Sequence, residues 1–127
     1  RVLFRSTQAA ALNDAYRTLR NPLDRAVYLA GLTGVELPGD GKTIDDPELL
    51  MEAMEAREAL HEAASLNDVD VLADKASGDF RAALQSLASL FLANDKAAIR
   101  KALLRLRYLD KFAEEARARR ANLARAG

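Results

Sequence analysis

Apolar residues recur at three- and four-residue steps in five stretches of the chain, and nowhere do they alternate as a half-buried strand requires. Leu12, Tyr16 and Leu19 share one face of a first segment, which Ser6 or Thr7 can cap. Asn21-Pro22 interrupts it, because proline donates no amide hydrogen and disfavours helix in the residue before it. Pro22 also suits the first turn of a second helix, 23–32, which stops at Gly34. The stretch VELPGDGKTIDD that follows is polar and rich in Gly and Pro, which predicts a linker over 35–45 and a domain boundary. Asp46-Pro47-Glu48 then combines a side-chain cap, a proline at the first helical position and an acid in the first turn, opening a third helix that runs to about residue 65. Asn67 and Asp68 break it and cap a fourth, 69–92, carrying Val69, Leu72, Ala76, Phe80, Ala83, Leu84 and Leu87 in register. Asn94-Asp95 turns the chain into a fifth, 96–124, with Ile99, Leu103, Leu106 and Ala113 on one face. Three long helices joined by short turns must be antiparallel neighbours. The expected fold is all-α: an up-down-up three-helix bundle over 46–127, preceded by a short helix pair.

One stretch carries more apolar residues than a core stripe can use. In LLMEAMEAREAL, Leu49, Ala53, Ala56 and Leu60 fall within about 60° of one another at 100° per residue, whereas Leu50, Met51 and Met54 point elsewhere. Glu55, Glu58 and Glu62 extend that second face along the helix. Methionine adapts its shape to what it meets, and an exposed apolar cluster edged by carboxylates is characteristic of a protein-binding surface. The alternative is that these apolar side chains tuck under the linker or against the fifth helix, leaving the glutamates merely solvated.

Composition narrows the chemistry. The chain has no cysteine, which removes disulfides and thiolate ligands, and its single histidine, His61, leaves no metal-ligand cluster. No nucleophile stands beside a base, and the PGDG glycines have neither the spacing nor the preceding strand of a phosphate loop. Neither enzymatic activity nor a cofactor is expected. No apolar run approaches the roughly 20 residues of a membrane span and no signal-peptide pattern opens the chain, which predicts a soluble, cytoplasmic protein. The formal charge is zero but segregated: residues 36–79 hold 13 acids and 3 bases, residues 96–127 hold 10 bases and 3 acids. Acidic and basic helices lying side by side explain this. Nucleic-acid binding through Arg117, Arg119, Arg120 and Arg125 is the competing reading, though few aromatics and no nucleic-acid motif accompany them.

Two segments together carry a family resemblance. LNDAYRTLRNPLDRAVYL, residues 12–29, looks like the end of a J-domain. Its continuation YLAGLTG, then DDPELLMEAMEAREAL and LRYLDKF at 106–112, resembles the HscB family of J-type co-chaperones for iron-sulfur cluster assembly. The resemblance implies a J-domain remnant over 1–34, the linker, and a scaffold-binding three-helix bundle over 46–127. It further implies that the bundle binds the protein on which iron-sulfur clusters are built, through Leu50, Met51, Met54, Glu55, Glu58, Glu62 and Tyr108, and that a heat-shock ATPase chaperone is the second partner. The chain contains no His-Pro-Asp, the motif through which a J-domain stimulates that ATPase, since its one histidine precedes Glu62. The expectation is therefore a chain truncated before or within the J-domain, with residues 1–6 not native, that keeps scaffold binding and lacks ATPase stimulation. A non-catalytic helical module for interaction or self-association is the alternative. With its usual helical partners missing, the segment before Gly34 is expected to be loosely held or to dock on the bundle.

Overall fold

The computed structural model describes residues 21–39 and 44–126. The expected helix over 7–19 lies outside them. Four helices are present among the described residues: α1 (Pro22–Leu32), α2 (Pro47–Glu62), α3 (Leu66–Ala93) and α4 (Lys96–Ala126). The fold is all-α. None of these helices is long and apolar enough to cross a membrane.

Each start has a local cause. The Asn21 side chain accepts from the amides of Leu23 and Asp24, at 2.9 and 3.2 Å, and Asp46 accepts from Leu49 at 3.1 Å; each cap is followed by proline, whose missing donor costs nothing in a first turn. Asp95 accepts from the Ala98 amide at 3.1 Å to open α4. The ends are equally specific. Gly34 takes φ +90°, a value that glycine tolerates without strain, and lets the Val35 amide reach back to the Ala30 carbonyl at 2.9 Å. Asn94, at φ 52°, closes α3 in the same manner, with the Asp95 amide donating to Leu90 at 3.2 Å.

Two boundaries differ from the expectation. Helix α2 ends at Glu62 rather than near residue 65, with Ala63 turned out to an extended ψ of 122°. Nothing in Glu-Ala-Ala-Ser breaks a helix by propensity, so the stop is tertiary: Ala63 is buried with Leu60, Val69 and Phe112, and Arg119 of α4 donates to the carbonyls of Ala63 and His61 at 2.8 and 3.4 Å. Helix α3 starts at Leu66 rather than 69. Its cap is Ser65, which accepts from the Asp68 amide at 3.1 Å, so Asn67 and Asp68 belong to the first turn.

Helix α4 is the axis of the fold. Its buried residues Ile99, Leu103 and Leu106 form one core with Ala26 and Ala30 of α1, Val35 and Leu87 of α3. Leu109, Phe112 and Ala116 form a second core with Leu60, Ala63, Val69 and Ala76. Each large side chain so enclosed contributes about 1.5–3 kcal/mol. The α3–α4 hairpin is the most extensive contact; α2 packs mainly on α4 and touches α3 far less. Ion pairs mark the register of α2 on α4: Glu48 with Lys101 at 3.0 Å, Glu52 with Arg105 at 3.1 Å, Arg57 with Glu115 at 2.6 Å. Their order along both helices shows that α2 and α4 are parallel, as an up-down-up bundle demands. It also places the acidic helix beside the basic one.

The segment read as a linker is tied down where it is described. Val35 is 5% exposed; Arg100 donates to the Glu36 carbonyl at 3.1 Å and grips Asp45 through two bonds of 2.9 and 2.7 Å. Arg107 donates to the Pro38 carbonyl. Helix α1 docks on α4 through Ala26 and Ala30, while Tyr28, Leu29 and Leu32 stay largely exposed.

Candidate protein-binding site

The core stripe of α2 divides its residues as helical geometry dictates. Leu49 and Leu60 are 0% and 4% exposed, and Ala53 and Ala56 are half-buried between them. Met51 and Met54 lie on the other face, 66% and 62% exposed. Leu50 sits between the two faces and is half-buried.

The acids of α2 divide in the same way. Glu48 and Glu52, which lean toward α4, are spent on Lys101 and Arg105. Glu55, Glu58 and Glu62, which do not, are exposed and make no ion pair among the described residues. A strip of two exposed methionines continued by three unspent carboxylates therefore runs along the outer face of α2.

Tyr108 joins α2 from the neighbouring helix. Its hydroxyl donates to Glu52 Oε2, and Arg105 donates to the same carboxylate through Nε and Nη2 at 3.1 and 3.2 Å. Burial works to raise the Glu52 carboxyl, but the bonds from Arg105 and Tyr108 outweigh it and hold Glu52 below its ordinary value. Burial, and then the carboxylate it faces, push the Tyr108 phenol well above its own. The ring is thereby fixed as a wall between two grooves. One, of about 330 Å³, lies between α2 and α4 beneath Pro38 and Ile44, with Leu50, Met54, Leu104 and Phe112 around it. The other, of about 570 Å³, opens where α2 stands away from α3, and Glu55 reaches its rim.

Of the seven residues named from the sequence, the structure thus gathers Leu50, Met54 and Tyr108 around one groove and places Glu55 beside Tyr108 at the second. Met51, Glu58 and Glu62 lie on the open face of α2 and line neither. Sequence reasoning missed Leu104 and Phe112, which stand four residues either side of Tyr108 and share its helix face. It also missed Glu52, whose carboxylate is indistinguishable in sequence from its solvated neighbours.

Of the four arginines near the end of α4, Arg117 is exposed. Arg119, Arg120 and Arg125 are engaged by the α2 terminus, Asp70 and Asn122, and among the described residues no three His, Asp or Glu side chains converge as metal ligands. His61 is exposed.

Several known proteins are similar to this chain. The family model described as the HSCB C-terminal oligomerisation domain matches residues 45–117. A co-chaperone protein HscB homolog of Burkholderia multivorans is 36% identical over 110 residues, covering 84% of this chain and 63% of its own length. The homolog from Photobacterium profundum is 33% identical over 112 residues, with 85% and 66% covered. Among solved structures, chaperone HscB from Vibrio cholerae superposes with a TM-score of 0.79 at 31% identity, covering 95% of this chain and 72% of that one. Human co-chaperone protein HscB gives 0.77 at 28%, covering 89% and 57%. The chain spans just under two thirds of the length of these curated relatives, 63% and 66%.

Proposed function

The chain belongs to the HscB family of co-chaperones, and on that premise we propose that its bundle is a non-catalytic adaptor that binds an iron-sulfur cluster scaffold protein in the cytoplasm. The docking surface is the outer strip of α2, Leu50, Met51, Met54, Glu55, Glu58 and Glu62, with Tyr108 as its aromatic edge. The observation that carries this reading is the division of labour within α2: its inward Leu60 and its acids Glu48 and Glu52 are engaged by α4, while among the described residues the two methionines join neither core and the three glutamates make no ion pair. A partner with an apolar ridge flanked by basic side chains complements such a strip, and the long-range attraction speeds encounter.

Residues 1–34 are assigned to the C-terminal part of a J-domain, 35–45 to a connecting strap and 46–127 to the scaffold-binding bundle. A protein of this architecture presents its scaffold to a heat-shock ATPase chaperone. The 127 residues hold one histidine, followed by glutamate, so ATPase stimulation through His-Pro-Asp is not assigned to them.

Calorimetry against a purified scaffold protein tests the assignment. Met51→Ala combined with Met54→Ala removes the exposed thioethers without touching either core, and is expected to weaken binding at least about tenfold with helicity intact. Unchanged affinity in the double variant overturns the placement of the site. Sedimentation of the chain alone, showing concentration-dependent association that the same variant abolishes, would favour self-association through the strip instead.

A further inference from the structure

The sulfur of this chain is concentrated on one surface. There is no cysteine, and the two methionines, Met51 and Met54, are the full complement of sulfur atoms. Methionine is ordinarily a core residue. Here both are 66% and 62% exposed, three residues apart on α2, although Leu49 beside them is fully enclosed. Neither belongs to the two hydrophobic cores. An exposed thioether reacts with hydroperoxides, and no thiol in this chain competes for the oxidant.

The product differs sharply from the reactant in the property the strip depends on. A sulfoxide is polar, chiral and a strong hydrogen-bond acceptor, where the thioether is apolar and pliant. Of the three apolar side chains on the strip, two would acquire an oxygen. That oxygen would stand beside Glu55 and Glu58, adding acceptors where carboxylates already need donors from the partner.

We propose that Met51 and Met54 form a hydroperoxide-sensitive modification site whose oxidation closes the docking strip, and that a docked protein partner in turn shields both sulfurs. This rests on the adaptor reading. In each step the sulfur lone pair attacks one oxygen of the hydroperoxide; the S–O bond forms as the O–O bond breaks. Sulfur loses two electrons, and the departing oxygen takes them together with the proton, leaving as water or, from an alkyl hydroperoxide, as an alcohol. The fold survives, because both side chains are exposed and belong to neither core, and the inward Leu49 and Leu60 are untouched. Shielding follows from access: a partner seated on the strip covers both sulfurs and keeps the hydroperoxide from reaching them.

The test treats the purified chain with hydrogen peroxide, locates added oxygen by peptide mass, and measures helicity, unfolding midpoint and calorimetric affinity for a purified iron-sulfur scaffold protein. Two oxygen atoms are expected, at Met51 and Met54, with helicity and midpoint unchanged and affinity lower by at least about tenfold. Methionine sulfoxide reductases acting on both epimers restore it. Met51→Leu with Met54→Leu, compared with itself, shows the same affinity before and after peroxide. Saturating scaffold slows oxidation of the unsubstituted chain. An oxidised chain that binds as tightly as the reduced one overturns the inference alone, as does a peroxide-induced loss that persists in the double leucine variant. A reduced chain that does not bind the scaffold at all overturns the adaptor reading and this inference with it.

Discussion

Glu52→Gln removes one charge and keeps the shape of a side chain on which three hydrogen bonds converge, two from Arg105 and one from Tyr108. Hydrogen bonds to a charged group contribute about 1.5–3 kcal/mol each when well buried. The side chains of Arg105 and Glu52 are 31% and 41% exposed, so water replaces much of what is lost, and a net cost of about 1–2 kcal/mol is the discounted figure. In a chain of this size each kcal/mol lowers the unfolding midpoint by about 4 °C. The pH dependence gives the sharper test. Glu52 is held below its ordinary value of about 4.5, so its contribution is fully present above that value and is lost as pH falls through the depressed one. Thermal unfolding followed by circular dichroism should show the variant less stable than the parent at pH 7, with the difference shrinking as pH falls below about 4.5. A difference that stays constant across that range, or a variant as stable as the parent at pH 7, refutes the reasoning.

Other expectations follow from single positions. Gly78 lies inside α3, and a Cβ placed there meets nothing within 4 Å, so Gly78→Ala should raise stability by about 0.5–1 kcal/mol in denaturant unfolding. Leu103 is 0% exposed in the core shared by α1, α3 and α4; Leu103→Ala should destabilise by about 2–5 kcal/mol, also read by denaturant unfolding. Arg100→Ala releases the Glu36 carbonyl and Asp45, and hydrogen exchange should accelerate on either side of residues 40–43 while the α3–α4 hairpin keeps its protection.

Much of this arrangement was legible from local chemistry. Asp46-Pro47-Glu48 marks a helix start because the cap, the proline and the acid act within one turn, and the heptad-like spacing of Ile99, Leu103 and Leu106 marks the buried face of α4. The two-faced character of α2 was legible for the same reason: 100° per residue separates Leu49 from Met51 whatever the rest of the chain does. What failed to show was tertiary in origin. The end of α2 depends on Arg119, 56 residues away in sequence, and local propensity favours continuing the helix. Ser65, Asn67 and Asp68 are all competent caps, and propensity alone does not say which of them packing will choose. Val35 reads as an isolated apolar residue in a polar strap until the Gly34 turn carries it into the core. Glu52 looks like any helical glutamate until Tyr108 and Arg105 are brought to it by the register of α4.

The two methionines provide the most direct measurement of the central claim, since each carries a single methyl group whose resonance reports its own surroundings. Titrating a scaffold protein into the methyl-labelled chain should shift or broaden the signals of both Met51 and Met54 with the same saturation as calorimetric binding. A complex that forms while both methyl signals stay where they are would contradict the account.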